Sequence, residues 1–286
     1  MKIPQLTLSL GFLTFGLLNG LQAEGVSFQL KFEPEKSYHT ETEVVQSSEM
    51  MLGGQKINSS ADMKIKTVQK ATAVEGGIEV KQTMDSIKMK MNAGGMEMDF
   101  DSENPQGMLA GMFAPMMEAK TTTLYSEKGE ILKVEVPAIP GMENLGMGKE
   151  ELEQSAREVA DMMPNKVVAV GESWTSQSQL PLGGMTEKPV AISYTMNFAE
   201  MVEKEGNQVA KVEIKGKIED GDENLQVTSK KIEGVMYFDP ELSQPRELVL
   251  TMELEIGLPE GVAVAEGDAG KMPMKMTSTS RLIEVK

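Results

Sequence analysis

Apolar and polar residues alternate along most of this chain. The clearest run is Ile87-Lys-Met-Lys-Met-Asn-Ala-Gly-Gly-Met-Glu-Met-Asp-Phe100. Folded as a hairpin with Asn92, Ala93, Gly94 and Gly95 as its loop, it sets Met91 against Met96, Met89 against Met98 and Ile87 against Phe100. Lys90 then falls opposite Glu97, and Lys88 opposite Asp99. This register gathers the apolar residues on one face and puts each charge beside its opposite on the other. The expected architecture is antiparallel sheet with one covered face and one wet face.

The alternation recurs elsewhere. Phe28 to Phe32 alternates, and Glu33-Pro34-Glu35-Lys36 turns it into Tyr38 to Val44. Ala61 to Val68 alternates again, and Val74-Glu-Gly76-Gly77-Ile78 signals a hairpin. Strands joined by glycine turns at this spacing predict a meander rather than βαβ units.

Two segments break the pattern. Behind Asn104-Pro105, a suitable N-cap and first helical residue, Met108, Leu109, Met112, Phe113, Met116 and Met117 recur at helical spacing, with Pro115 limiting the length. This predicts a short Met-rich helix near 105–117. From Lys149 to Met163, Leu152, Ala156, Val159 and Met163 form a stripe, leaving Glu151, Glu158 and Asp161 for water, and Pro164 stops the helix. Beyond it the outline repeats: Glu205-Gly206-Asn207 leads into Val209 to Ile218 much as Glu75-Gly76-Gly77 leads into Ile78 to Val80. The expectation is therefore a mainly β protein of two related antiparallel curved-sheet or half-barrel halves, residues 24–147 and 165–286, with one connecting α-helix at 148–164.

The first 23 residues carry a different pattern. Lys2 precedes an apolar run from Leu6 to Leu18, and Asn19-Gly20-Leu21-Gln22-Ala23 follows as a cleavage region. The run is short for a membrane span, so a signal peptide cut after Ala23, and a periplasmic or secreted location, are expected. There is no cysteine, so disulfides and lipid attachment through a thiol are excluded. The 28 basic and 44 acidic residues give a net charge of −16, and loss of Lys2 with the leader makes it −17. Nucleic acid and anionic lipid surfaces are poor partners for that charge.

No catalytic constellation is apparent. His39 is the sole histidine, and no thiol nucleophile exists. Asp220-Gly-Asp222-Glu223 has the look of a calcium loop without its distal glutamate, and reads as a solvated turn. The glycine pairs at 53–54, 94–95 and 183–184 read as hairpin turns, since no basic helix follows them to hold phosphate. No enzyme activity, cofactor or metal is expected.

Methionine is the chemically loaded residue, at 25 copies. It fills positions taken elsewhere by Ile, Val and Leu, which favours an apolar sheet face. The alternative is a copper site: Met89-Lys-Met91 and Met96-Glu-Met98 place soft thioethers two apart on a strand, and thioethers select Cu(I). A Met-lined concave face can also hold a lipid or other apolar small molecule. The candidate ligand-binding residues are Met89, Met91, Met96 and Met98 on the sheet, with Met108, Leu109, Met112 and Phe113 as a lid. A non-enzymatic envelope binding protein is thus the leading expectation, and a Cu(I) binder or a structural envelope assembly factor the alternatives.

Three pieces carry a family resemblance: Phe32-Glu-Pro-Glu-Lys-Ser-Tyr38, Tyr125-Ser-Glu-Lys-Gly129-Glu-Ile131, and Pro164-Asn-Lys-Val-Val-Ala-Val-Gly171-Glu-Ser-Trp174. Together they resemble an uncharacterised exported bacterial family, the domain of unknown function DUF6263. The resemblance implies an envelope location and a β fold, and brings no catalytic residues with it.

Overall fold

The computed structural model describes residues 25–52, 55–138, 149–180, 190–219, 227–257 and 271–286. The leader at 1–23, the acidic turn at 220–223 and the glycine pairs at 53–54 and 183–184 lie outside the described residues.

The elements run β1 (Val26–Phe28), β2 (Ser37–Leu52), β3 (Gln55–Val74), β4 (Gly77–Ala93), β5 (Met96–Asp101), α1 (Gly107–Glu118), β6 (Lys120–Tyr125), β7 (Ile131–Glu135), α2 (Lys149–Asp161), β8 (Lys166–Val168), β9 (Ser173–Leu180), β10 (Val190–Lys204), β11 (Asn207–Ile218), β12 (Val227–Asp239), β13 (Gln244–Gly257) and β14 (Lys271–Val285). Twelve of the strands form one antiparallel sheet in the order β7-β6-β4-β3-β2-β14-β13-β12-β11-β10-β9, with β5 also paired to β4. β1 and β8 make a separate two-stranded sheet. The protein is mainly β and antiparallel, and the sheet is not closed into a barrel. The two expected halves share this sheet, because the C-terminal β14 pairs with β2 in register from Met274 opposite Ser48 to Val285 opposite Tyr38.

The alternation seen in the sequence sorts the sheet into two faces. The outer face carries cross-strand ion pairs such as Lys64–Glu43 at 3.0 Å, Lys275–Glu253 at 3.0 Å and Arg281–Glu247 at 2.7 Å. Lys230 and Lys271 flank Glu255 and hold its carboxyl down to about 2. Solvent screening leaves exposed pairs of this kind with little net stabilisation, but they penalise a register slip that would bury them. The inner face is most deeply covered over β9 to β12 and the end of β13, where Met196, Phe198, Val212, Ile214, Met236 and Leu254 are all buried.

The segment from Gly25 to Glu33 closes one end of this face. Phe28 packs on Trp174, Phe198 and Phe238 at ring distances of 5.0, 5.3 and 5.1 Å, whereas Phe32 packs on Tyr38 and Tyr125 at 5.2 and 4.9 Å. One short stretch therefore ties strands of both halves into one core. Its backbone is held too, since the Lys31 amide donates to the Ser243 carbonyl and the Gln244 side chain donates to the Lys31 carbonyl. Gly129 has a φ of +76°, and a Cβ there would meet the Leu30 carbonyl oxygen, so glycine is required where this segment crosses the β6–β7 turn.

Helix α2 packs against both β7 and β9, the two ends of the strand order. A sheet of this width can touch one helix with both ends only by curling around its apolar face. The buried face of α2 differs from the expected stripe: Ala160, Met162 and Met163 are buried, Val159 is 42% exposed, and Glu158 turns inward. The rows i, i+4, i+8 and i+11 from Leu152 run through Ala156 and Ala160 to Met163, on the side of the helix where Ala160 and Met163 are buried. Helix α1 begins later than expected. Its N-cap is Gln106, without a side-chain cap bond, and Asn104 belongs to the turn before it, donating its amide to the Asp101 carbonyl.

Candidate functional site

The β4–β5 hairpin turns on two residues, Gly94 and Gly95, with φ of +59° and +89°. Positive φ at both positions allows the tight turn whose twist matches the strands. A four-residue loop was the expectation, and the tighter turn slides the register by two. Met91 faces Met98, Met89 faces Phe100, Ala93 faces Met96, Lys90 faces Asp99 and Lys88 faces Asp101. A shift of two preserves the faces but moves β5 outward. Met89 is buried at 8% exposure and Met91 half-buried, but Met98 is 37% and Met96 69% exposed. The expected shared burial of all four therefore holds only on β4.

Helix α1 lies over this region. Phe113 is buried and stacks on Phe100 at 5.0 Å, within a cluster of Ile87, Met89, Phe100 and Phe113. Met63, Met84, Met91, Met116 and Met117 pack around it. Phe113 is thus part of a small core, not an idle lid. The side chains of Met108, Leu109 and Met112 lie outside the described residues.

Between this cluster and the main core runs a strip of the inner face that neither α1 nor α2 covers among the described residues. On β2 it shows Thr40, Thr42, Val44, Gln46 and Ser48, all half-buried. β3 places Thr67, Ile65, Met63 and Ala61 opposite the first four of these. β14 places Leu282, Ser280, Ser278 and Met276 on the other side. None of these side chains is charged. Thr42 donates to Ser280 at 3.1 Å, and the Gln46 amide reaches the Met274 sulfur at 3.4 Å. The strip is thus a floor of methyl, thioether and hydroxyl groups between two apolar banks.

Near the hairpin tip a hollow of about 1,080 Å³ is lined mainly by outer-face residues, among them Ser47, Glu49, Asn58, Glu253 and Lys275, so it does not belong to the floor. A smaller hollow of about 350 Å³ lies among Lys64, Lys88, Lys90, Asp62, Asp99 and Asp101. Sequence reasoning missed the central floor. Its signal was the uncharged even positions of Tyr38 to Ser48, set against Glu41 and Glu43 on the odd ones.

The other chemically marked place is the α2 seam. The Trp174 indole donates to the Met162 carbonyl at 2.9 Å, Ser176 to the Asp161 carbonyl at 3.0 Å and Ser178 to the Glu158 carboxylate at 2.8 Å. Burial raises the Glu158 carboxyl above its ordinary value, only partly offset by the Ser178 hydroxyl, and Asp161 adds repulsion. A raised carboxyl destabilises the fold as pH climbs through that range, since folding then buries a charge. Glu158→Gln should therefore raise the melting temperature at pH 7, with the gain vanishing below about pH 4.5 where the unfolded glutamate is protonated too. Melting curves of both proteins at pH 4 and pH 7 check this; an equal gain at both would assign it to packing.

His39 lies half-buried on β2, as expected of a strand residue. Among the described residues no group of three or more His, Asp or Glu side chains could hold a metal, and no helix is long and apolar enough to cross a membrane.

The model of a family of unknown function (DUF6263) matches residues 75–136, which run from the β3–β4 turn past the end of β7. This agrees with the resemblance carried by Tyr125 to Ile131. No curated protein matches the chain. Among solved structures, one concerned with lipid–protein interactions in lipovitellin is 12% identical, with a TM-score of 0.50 over 90% of this chain. The match covers 26% of lipovitellin, so this chain spans about a quarter of that protein's length, and the likeness is one of fold. DynF of the dynemicin biosynthesis pathway of Micromonospora chersina (8% identical, 87% of this chain and 81% of that one, TM-score 0.21) is too distant in shape to add to it. A DUF1329 family protein from Desulfovibrio piger (10% identical, 88% and 85%, TM-score 0.18) is equally distant.

Proposed function

We propose that this is an exported, non-enzymatic envelope protein that holds a lipid acyl chain or similar apolar molecule on the inner face of its curved sheet. The observation that carries this is the uncharged, half-buried floor on β2, β3 and β14. A half-buried strip lies between two apolar banks, and concave, mostly apolar surfaces with a few polar groups are the usual form of small-molecule sites. The thioethers of Met63 and Met276 suit a flexible chain of variable shape, because methionine repacks easily. The hydroxyl groups of Thr42 and Ser280 give a polar terminus somewhere to lie. The leader-like pattern of residues 1–23 supports export. The resemblance in fold to lipovitellin, a protein described through its lipid interactions, is consistent with this role.

Adjacent residues provide the test. Val44 points to the floor, while Val45 lies on the outer face and is 54% exposed. Val44→Lys should weaken uptake of a fluorescent fatty acid by roughly tenfold or more, because it sets a charge where the chain lies. Val45→Lys should leave uptake unchanged. Equal effects from the two variants, or no uptake by the wild-type protein, would overturn the reading and favour a structural envelope role.

A further inference from the structure

We propose that the tip of the β4–β5 hairpin is a Cu(I) site built from the thioethers of Met91, Met96 and Met98. Met91 and Met98 are directly paired across the strands, and Met96 lies two residues before Met98 on the same face. Side chains directly opposite one another have Cβ atoms about 5 Å apart, and diagonal ones about 7–8 Å. Each methionine sulfur swings on unbranched single bonds beyond its Cβ, so three sulfurs can converge on one ion without moving the backbone. Thioethers are soft donors, and a set without imidazole or carboxylate selects Cu(I) over Zn(II) or Mg(II).

The exposure of these residues is what core packing does not explain. Phe113 covers Phe100 and Met89, and α1 leaves Met98 37% and Met96 69% exposed. An apolar face has no need of two large side chains in water at the tip of a hairpin. A site that must accept an ion does need its sulfurs open on one side. Met91 packs against the buried cluster of Met89, Phe100 and Phe113, which keeps one side of the site dry and disfavours the more strongly hydrated Cu(II). Glu97 and Asp99 stand on the opposite face, so they cannot ligate, but the chain's net charge of −16 draws a small cation toward it.

The test uses Cu(I) under reducing conditions, in competition with a chromogenic Cu(I) chelator, and Ag(I) as a stand-in that does not change oxidation state. One saturable equivalent is expected. The methyl signals of Met91, Met96 and Met98 in methyl-labelled protein should shift with Ag(I), while that of Met201, 37% exposed on β10, should not. Met96→Leu with Met98→Leu keeps volume and apolar character at exposed positions, so the melting temperature should hold while affinity drops by about 100-fold or more. Binding that is undiminished in this double variant, shifts spread evenly over Met201 and the hairpin, or no saturable equivalent in the wild type would each overturn the site. Fatty-acid uptake through Val44 is measured separately, so failure of one proposal leaves the other standing.

Discussion

Truncating Phe28 to alanine should cost about 3–5 kcal/mol of stability, near the upper end for a core aromatic. The side chain is fully buried, and its ring contacts Trp174, Phe198 and Phe238 at 5.0–5.3 Å. These partners sit on β9, β10 and β12, so the surrounding sheet has little freedom to collapse into the space left behind. Urea unfolding followed by the fluorescence of Trp174, the lone tryptophan, reads the effect directly. A loss under about 1 kcal/mol would mean that residues 25–33 are held apart from the cooperative unit. The same experiment asks whether the two halves unfold together. Because Phe28 and Phe32 tie strands of both into one cluster, a single transition is expected.

The second large effect is at Met89. Met89→Asp should destabilise by about 3 kcal/mol or more, since it sets an unpaired carboxylate against Phe100 and Phe113 in a dry cluster. Lys90→Asp, one residue along and on the outer face, should cost no more than about 1 kcal/mol even though it then faces Asp62 and Asp99 across both neighbouring strands. Comparable losses from the two would contradict the assignment of faces on β4.

Much of this was legible beforehand because a strand's side-chain period is two, and errors of two residues preserve a face. The hairpin shows it. The loop length expected for Asn92 to Gly95 was wrong by two residues, every side chain still fell on its expected face, and only the partners changed. Burial was less legible than facing. Nothing in Met96-Glu-Met98 reveals that α1 covers Phe100 but leaves the start of β5 exposed, since that depends on where Phe113 lands. The inward turn of Glu158 was hidden for a related reason. Leu152, Ala156, Val159 and Met163 make as good a stripe as the observed one, and only the contact of α2 with both β7 and β9 decides between them. The central floor was overlooked because threonine, serine and glutamine at Thr40, Thr42, Gln46 and Ser48 read as polar, although a hydroxyl or amide lies on an inner face at little cost when it is hydrogen-bonded.

The place of β14 has a consequence for how the molecule comes into being. Thr42 meets Ser280 across a separation of 238 residues, and this pairing occupies the middle of the sheet. Before β14 arrives, β2 and β13 are both open edges, 16 and 14 residues long. Edges of that length are templates for joining another chain. Their proper partner is the last of the described strands to be synthesised, so the nascent polypeptide has no correct way to satisfy them early. Closure over so long a loop is also slow. The topology therefore favours assembly in one late step, in which β14 stitches the two sides together.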